Sequence, residues 1–156
     1  MSFNNIYYNK TVLVTGHTGF KGSWLCIWLS MLGAQVIGLS NKVPVKNSNF
    51  QASKIHSFIK DYRIDIRDQN KVRELVEACQ PDFVFHLAAQ ALVRPSYKDP
   101  LETINVNAIG SANILDALRY LNKKVVAVMI TSDKAYDNVE WVWGYRETDR
   151  LGGKDP

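Results

Sequence analysis

The stretch Thr11-Val12-Leu13-Val14-Thr15-Gly16-His17-Thr18-Gly19-Phe20-Lys21-Gly22-Ser23-Trp24-Leu25-Cys26-Ile27-Trp28-Leu29 decides the fold. The apolar run at 11–14 predicts a buried strand, the run opening at Trp24 predicts a helix, and three glycines turn the chain between them. Of these, the first permits a sharp turn, the second lets backbone approach phosphate oxygens, and the third lets helix and strand pack closely. An anion would sit on the helix N-terminus. The expected pyrophosphate cradle is therefore the loop 16–22, with Gly16, Thr18, Gly19, Phe20, Lys21 and Gly22 as candidate cofactor contacts. Its spacing is GxxGxxG rather than GxGxxG, so it follows the logic of the dinucleotide fingerprint and not its letter.

Working outward, apolar runs recur at residues 35–39, 62–66, 83–87 and 125–131, each bounded by turn signals. Runs of this kind predict parallel strands buried on both faces. Helical periodicity lies between them. Trp24, Leu25, Trp28 and Leu32 form one stripe, Val72, Leu75, Val76 and Cys79 a second, and Ala108, Ala112, Leu115 and Leu118 a third within 103–121. Alternating strands and helices predict an α/β, Rossmann-like doubly wound parallel sheet in the order 3-2-1-4-5. Residues 40–60 are the least regular part and predict a surface connection with a short amphipathic helix.

The chain has 156 residues, 46% of them hydrophobic, which predicts one globular domain spanning 1–156. Its 19 basic and 15 acidic residues are scattered rather than gathered in a stripe, which argues against nucleic acid as a partner. A modest positive balance also suits a phosphorylated small molecule. Cys26 and Cys79 each fall on an apolar helix face and read as reduced core thiols, so a cytoplasmic location is expected. The apolar helix at 24–32 is too short to span a bilayer, and no membrane partner is expected. No His, Cys and carboxylate cluster has metal-ligand spacing.

Two segments fall at the carboxyl edge of the expected sheet, where ligands of open α/β folds bind. After strand four stands His86-Leu87-Ala88-Ala89-Gln90. Its small residues either let a cofactor ribose lie against the backbone or serve as plain packing, and His86, inside an apolar run, reads as a hydrogen-bonded core residue. After strand five stands Thr131-Ser132-Asp133-Lys134. Hydroxyl, carboxyl and ammonium groups there either supply acid-base chemistry or cap a strand end with an exposed ion pair.

Together with Leu92-Val93-Arg94-Pro95-Ser96-Tyr97 and Asn107-Ala108-Ile109-Gly110, these segments resemble the extended short-chain dehydrogenase/reductase superfamily of nucleotide-sugar enzymes. Within it, the string from Thr131 through Asn138, Glu140-Trp141-Val142-Trp143-Gly144-Tyr145-Arg146-Glu147 and Gly152-Gly153-Lys154-Asp155-Pro156 is similar to the CDP-glucose 4,6-dehydratases. The resemblance implies an NAD-dependent cycle on CDP-glucose: C4 is oxidised, water is eliminated across C5 and C6, and the hydride returns to C6. Ser132 would hydrogen-bond the C4 oxygen, Asp133 protonate the departing C6 hydroxyl, and Lys134 assist proton removal at C5. It further implies cofactor contacts at Asp65, Ile66, Leu87, Ala88, Ala89 and Asn107, and substrate contacts at Gln90, Arg94, Ser96 and Tyr136. A homo-oligomer is expected of full-length members.

The sequence departs from that pattern in two places. A Tyr-x-x-x-Lys helix is expected just past Asp155-Pro156, its Tyr taking the C4 hydroxyl proton. The chain lacks it, and lacks the final sheet strands and the smaller substrate domain. It therefore reads as roughly the N-terminal half of such an enzyme, expected to be inactive alone, with a dinucleotide-binding module, another nucleotide-sugar dehydratase or epimerase, and a purely structural protein as the competing readings. The second departure is at the end of strand two, where Asn41-Lys42 replaces the usual acidic ribose ligand: Asn41 suits a ribose, while Lys42 tolerates a 2′-phosphate.

Overall fold

A computed structural model describes residues 2–153 of the chain. Five parallel strands form one sheet in the order β3-β2-β1-β4-β5: β1 (Thr11–Thr15), β2 (Gln35–Ser40), β3 (Lys60–Arg63), β4 (Phe83–His86) and β5 (Val126–Met129). The expected order is the observed one. Two strand limits shift: β3 starts two residues before the expected 62–66 and ends at Arg63, and β5 is shorter than 125–131 at both ends.

Successive side chains of a strand point to opposite faces, so β1 feeds two cores. Val12 and Val14 join Val36, Phe50 and Ile55 under α1 (Phe20–Met31) and the short α2 (Asn49–Ala52). Leu13 joins Ile37, Leu39 and Val84 on the other face, under α3 (Gln69–Cys79) and α6 (Gly110–Leu118). Burial on both faces is why these strands carry no polar alternation. Between β4 and α6 the chain forms α4 (Val93–Lys98), α5 (Pro100–Ile104) and a π-helical turn (Asn105–Ile109).

The α3 stripe is buried as expected at Val72, Leu75 and Val76, with Cys79 half-buried, and the Asp68 side chain caps the helix by accepting from Lys71 N. The other two stripes need correction. On α1 the buried residues are Gly22, Ser23, Cys26 and Leu29, whereas Trp24 and Trp28 are exposed. Small residues face the sheet because α1 packs too close for indole: a Cβ on Gly22 would lie 2.8 Å from His17 Cα. On α6 the buried residues are Gly110, Asn113, Ile114 and Ala117, with Leu115 exposed. Asn113 takes the inward position by donating to the carbonyls of Ile66 and Arg67, a polar anchor that a search for apolar periodicity passes over.

Candidate functional site

Strand order reverses at β1, whose neighbours are β2 and β4. The carboxyl ends of β1 and β4 therefore border the switch-point crevice of an open α/β sheet. Gly16 leaves β1 at a φ of 71°, and a Cβ there would lie 2.8 Å from Ala88 N and from Leu87 C. Only glycine permits both that dihedral and that approach. The loop closes on itself through Gly19 N to Gly16 O (3.0 Å), and Gly16 N donates to Leu39 O (2.8 Å). Gly19 then stands as the N-cap of α1 with no side chain capping the helix. That helix start, with Phe20 and Lys21 exposed beside it, suits an anionic group.

Thr18 and His17 face inward. Thr18 is 3% exposed, and its hydroxyl donates to Lys42 O (2.7 Å), fastening the loop to the end of β2. His17 is fully buried over Gly38 of β2, edge-on to Phe50, with Nε2 2.9 Å from Asp61 Oδ1 of β3. Burial holds the His17 pKa below its ordinary 6.5 against the opposing pull of Asp61, so the neutral ring donates Nε2–H to the carboxylate. Arg63 holds the other Asp61 oxygen at 2.7 Å. Sequence reasoning passed over this lock. Its signal was Gly38, a glycine inside a strand, which marks close approach of another group.

Just after β3, Asp65 accepts from Arg67 Nε (2.9 Å), Nη2 (2.7 Å) and backbone N (2.9 Å), and the Arg67 side chain holds its pKa down to about 2. Arg67 also reaches Glu102 of α5 at 2.5 Å. Ile66 turns its side chain into the core against Gly110, while its carbonyl accepts from Asn113 Nδ2 (2.9 Å).

Leu87, Ala88, Ala89 and Gln90 form the wall opposite the glycine loop. Asn107, in the π-turn, clamps this wall by accepting from Gln90 N (2.8 Å) and donating to Gln90 O (3.0 Å). The Gln90 amide is itself engaged by Leu92 N and O and by Thr103 Oγ1, so Gln90 shapes its own loop. Ser96 donates to Val93 O within α4, and Arg94 is exposed on the same helix.

Ser132, Asp133 and Lys134 follow β5 on the same carboxyl edge, where Ile130 N still donates to His86 O (3.1 Å). All three are exposed. Ser132 Oγ accepts from Lys134 N (3.2 Å) and donates to Asp133 Oδ1 (3.3 Å), capping the 3₁₀ turn Asp133–Ala135. Tyr136 pairs with Leu151 in an isolated bridge and stacks on Tyr145, centroids 5.1 Å apart at 6°. The segment between them is a closed loop carrying exposed Trp141 and Trp143.

Among the described residues no group of three or more His, Cys, Asp or Glu is placed to hold a metal ion, and no helix is long and apolar enough to cross a membrane. A cavity of about 600 Å³ opens at the opposite edge of the sheet, lined by Thr11, Gln35 and Lys60 at the strand starts, and takes no part in this site. A Tyr-x-x-x-Lys spacing does occur at Tyr120 and Lys124, but it precedes β5 at that same far edge, with the Arg73 guanidinium 3.6 Å above the Tyr120 ring.

A family model described as GDP-mannose 4,6 dehydratase matches residues 13–156. The chain is 45% identical over 152 residues to the CDP-glucose 4,6-dehydratase of Salmonella typhimurium, covering 97% of this chain and 42% of that protein. Against the GDP-mannose 4,6-dehydratase of Vibrio cholerae serotype O1 the identity is 29% over 143 residues, covering 84% and 37%. The structure of Thermus thermophilus UDP-glucose 4-epimerase in complex with NAD superposes with a TM-score of 0.78 at 31% identity, over 93% of this chain and 45% of that one. The chain thus spans less than half the length of these relatives.

Proposed function

The chain belongs to the GDP-mannose 4,6 dehydratase family of extended short-chain dehydrogenases/reductases, and from that premise we propose that it is the NAD-binding part of a CDP-glucose 4,6-dehydratase. The observation that carries the choice of substrate is the 45% identity over nearly the whole chain to the Salmonella enzyme, against 29% to the GDP-mannose relative. The choice of cofactor is supported by the NAD-bound epimerase whose fold this chain shares and by the loop itself, where Gly16 and Gly22 let backbone pack on backbone and Gly19 opens a helix that no side chain caps. Asp65 and the Ile66 backbone would lie toward adenine, and Leu87, Ala88, Ala89 and Asn107 toward the nicotinamide ribose.

NAD, held at the loop of Gly16, Gly19 and Gly22, would supply the hydride acceptor at C4 of the glucose and the hydride donor at C6. The chain's own residues handle protons. Ser132 hydrogen-bonds the C4 oxygen, Lys134 assists removal of the proton at C5 that the C4 ketone has made acidic, and Asp133 gives a proton to the departing C6 hydroxyl, which leaves as water. Arg94, Ser96 and Tyr136 border the sugar. The base for the C4 hydroxyl is a Tyr-x-x-x-Lys pair, a role that Tyr120 and Lys124 at the far edge do not fill. Acid-base catalysis of one step contributes about 10² to 10⁴-fold, so the 156-residue chain is expected to bind NAD without turnover. The whole enzyme is expected to be a cytoplasmic homo-oligomer.

Calorimetric titration with NAD and NADP, beside a steady-state assay for CDP-4-keto-6-deoxyglucose, tests the reading. Saturable NAD binding abolished by Gly16→Val supports it. Robust dehydration by the purified chain would show the essential base to lie within these residues. A second reading, a dinucleotide-binding module with no catalytic role, is favoured by the exposed, self-capping Ser132 turn. Retained activity in a full-length relative altered at the position of Lys134 would support that reading.

A further inference from the structure

We infer that His86 is a positioning residue: held as its Nε2–H tautomer between Thr15 and Ser111, it ties the ends of β1 and β4 to the π-turn and fixes the Leu87–Gln90 wall. The tautomer follows from counting protons. Thr15 Oγ1 is approached by Leu87 N and Ala88 N, each at 3.1 Å, and by His86 Nδ1 at 2.8 Å. Both amides only donate: Ala88 N gives its proton to Oγ1, Leu87 N shares its own between Oγ1 and the Thr15 carbonyl (3.2 Å), and the hydroxyl proton is left to point at Nδ1. Nδ1 is therefore unprotonated.

The other side of the ring gives the same answer independently. Ser111 Oγ lies 2.6 Å from the Asn107 carbonyl, which only accepts, so the Ser111 proton goes there. Its remaining neighbour is His86 Nε2 at 3.0 Å, which must donate. The opposite tautomer would place two protons between Thr15 and His86 and none between His86 and Ser111. An imidazolium would repeat the first fault. The ring is 3% exposed, and burial pushes its pKa down to about 4, in keeping with a ring that stays neutral.

A directed chain results: Thr15 O–H to Nδ1, Nε2–H to Ser111, Ser111 O–H to the Asn107 carbonyl. At one end Thr15 pins the two amides of the Leu87–Ala88 segment, the backbone that presses on Gly16. At the other, Asn107 clamps Gln90 on both main-chain polar groups. His86 thus sets the spacing between the glycine loop and the facing wall without meeting a ligand. The consequence for cofactor affinity rests on the dinucleotide reading above. The tautomer does not.

The test uses the ligand-free 156-residue chain labelled with ¹⁵N. Long-range ¹H–¹⁵N spectra at neutral pH are expected to show His86 Nδ1 as an unprotonated nitrogen and Nε2 as a protonated one. An Nδ1–H tautomer or a cationic ring would overturn the inference. In Ser111→Ala, which cuts one arm and leaves the fold's core untouched, amide exchange at Gln90 is expected to quicken about tenfold. Unchanged exchange there overturns the coupling. NAD titration then compares His86→Leu with His86→Gln, which retains one acceptor and one donor. Dissociation constants about tenfold weaker for Leu, and substantially restored for Gln, support positioning. Wild-type affinity in a folded His86→Leu chain refutes it. Should the unmodified chain bind no NAD while the tautomer and the exchange result hold, the cofactor reading fails and the role of His86 in the wall stands.

Discussion

Replacing Gly38 by alanine should destabilise the chain through a group 21 positions away in sequence, His17. A Cβ on Gly38 would lie 2.5 Å from His17 Cγ and 2.7 Å from Nε2. The ring cannot tip aside freely, because Phe50 backs it at 5.4 Å and Asp61 holds Nε2 at 2.9 Å. Forcing extra volume into such a packed site costs about 1–3 kcal/mol. Losing a hydrogen bond to a charged partner adds about 1.5–3 kcal/mol where the ring leaves Asp61. Arg63 stays on that carboxylate, which keeps the total toward the lower end, about 2–4 kcal/mol. Urea unfolding followed by circular dichroism should show a lower midpoint with an unchanged slope. In a His17→Ala background the notch is empty, and Gly38→Ala should then be neutral or gain up to about 1 kcal/mol by stiffening the unfolded chain. A coupling energy of about 2 kcal/mol or more is expected from the cycle. Equal costs in both backgrounds, or a cost below about 0.5 kcal/mol for Gly38→Ala alone, would refute the reasoning.

Three further outcomes are expected. The Asp65 carboxyl is depressed from its ordinary 3.8 to about 2, so its contribution is present above pH 3.8 and fades as pH falls toward 2; Asp65→Asn should flatten the acid limb of the stability curve there, modestly because the pair is about a third exposed. Burial pushes the Cys26 thiol up to about 12 and Cys79 up to about 11, so iodoacetamide at pH 8 should spare both in the folded chain and label both in urea, and rapid labelling of Cys26 in native buffer would contradict its burial. Asn113→Ala removes the donor to the Ile66 and Arg67 carbonyls and should cost about 1–3 kcal/mol in thermal or urea unfolding.

By itself the sequence determined the strand–glycine loop–helix unit and the strand order. Strands buried on both faces need continuous apolar runs, and a loop facing phosphate needs residues without side chains, so both leave local marks at 11–14 and at Gly16, Gly19 and Gly22. It also placed 86–90 and 131–134 at one sheet edge, because every strand of a parallel sheet ends on the same side. What it left open depends on partners far along the chain. Trp24 and Trp28 look like a core stripe on a helical wheel, yet α1 sits close on the sheet and buries Gly22, Ser23, Cys26 and Leu29 instead. On α6 the carbonyls of Ile66 and Arg67 hold Asn113 inward where periodicity favours Leu115. Thr15 meets His86 across 71 positions and His86 meets Ser111 across 25. Donor and acceptor counts at such contacts exist only once the sheet has brought the residues together, so tertiary structure alone decided which groups build the walls of the cleft.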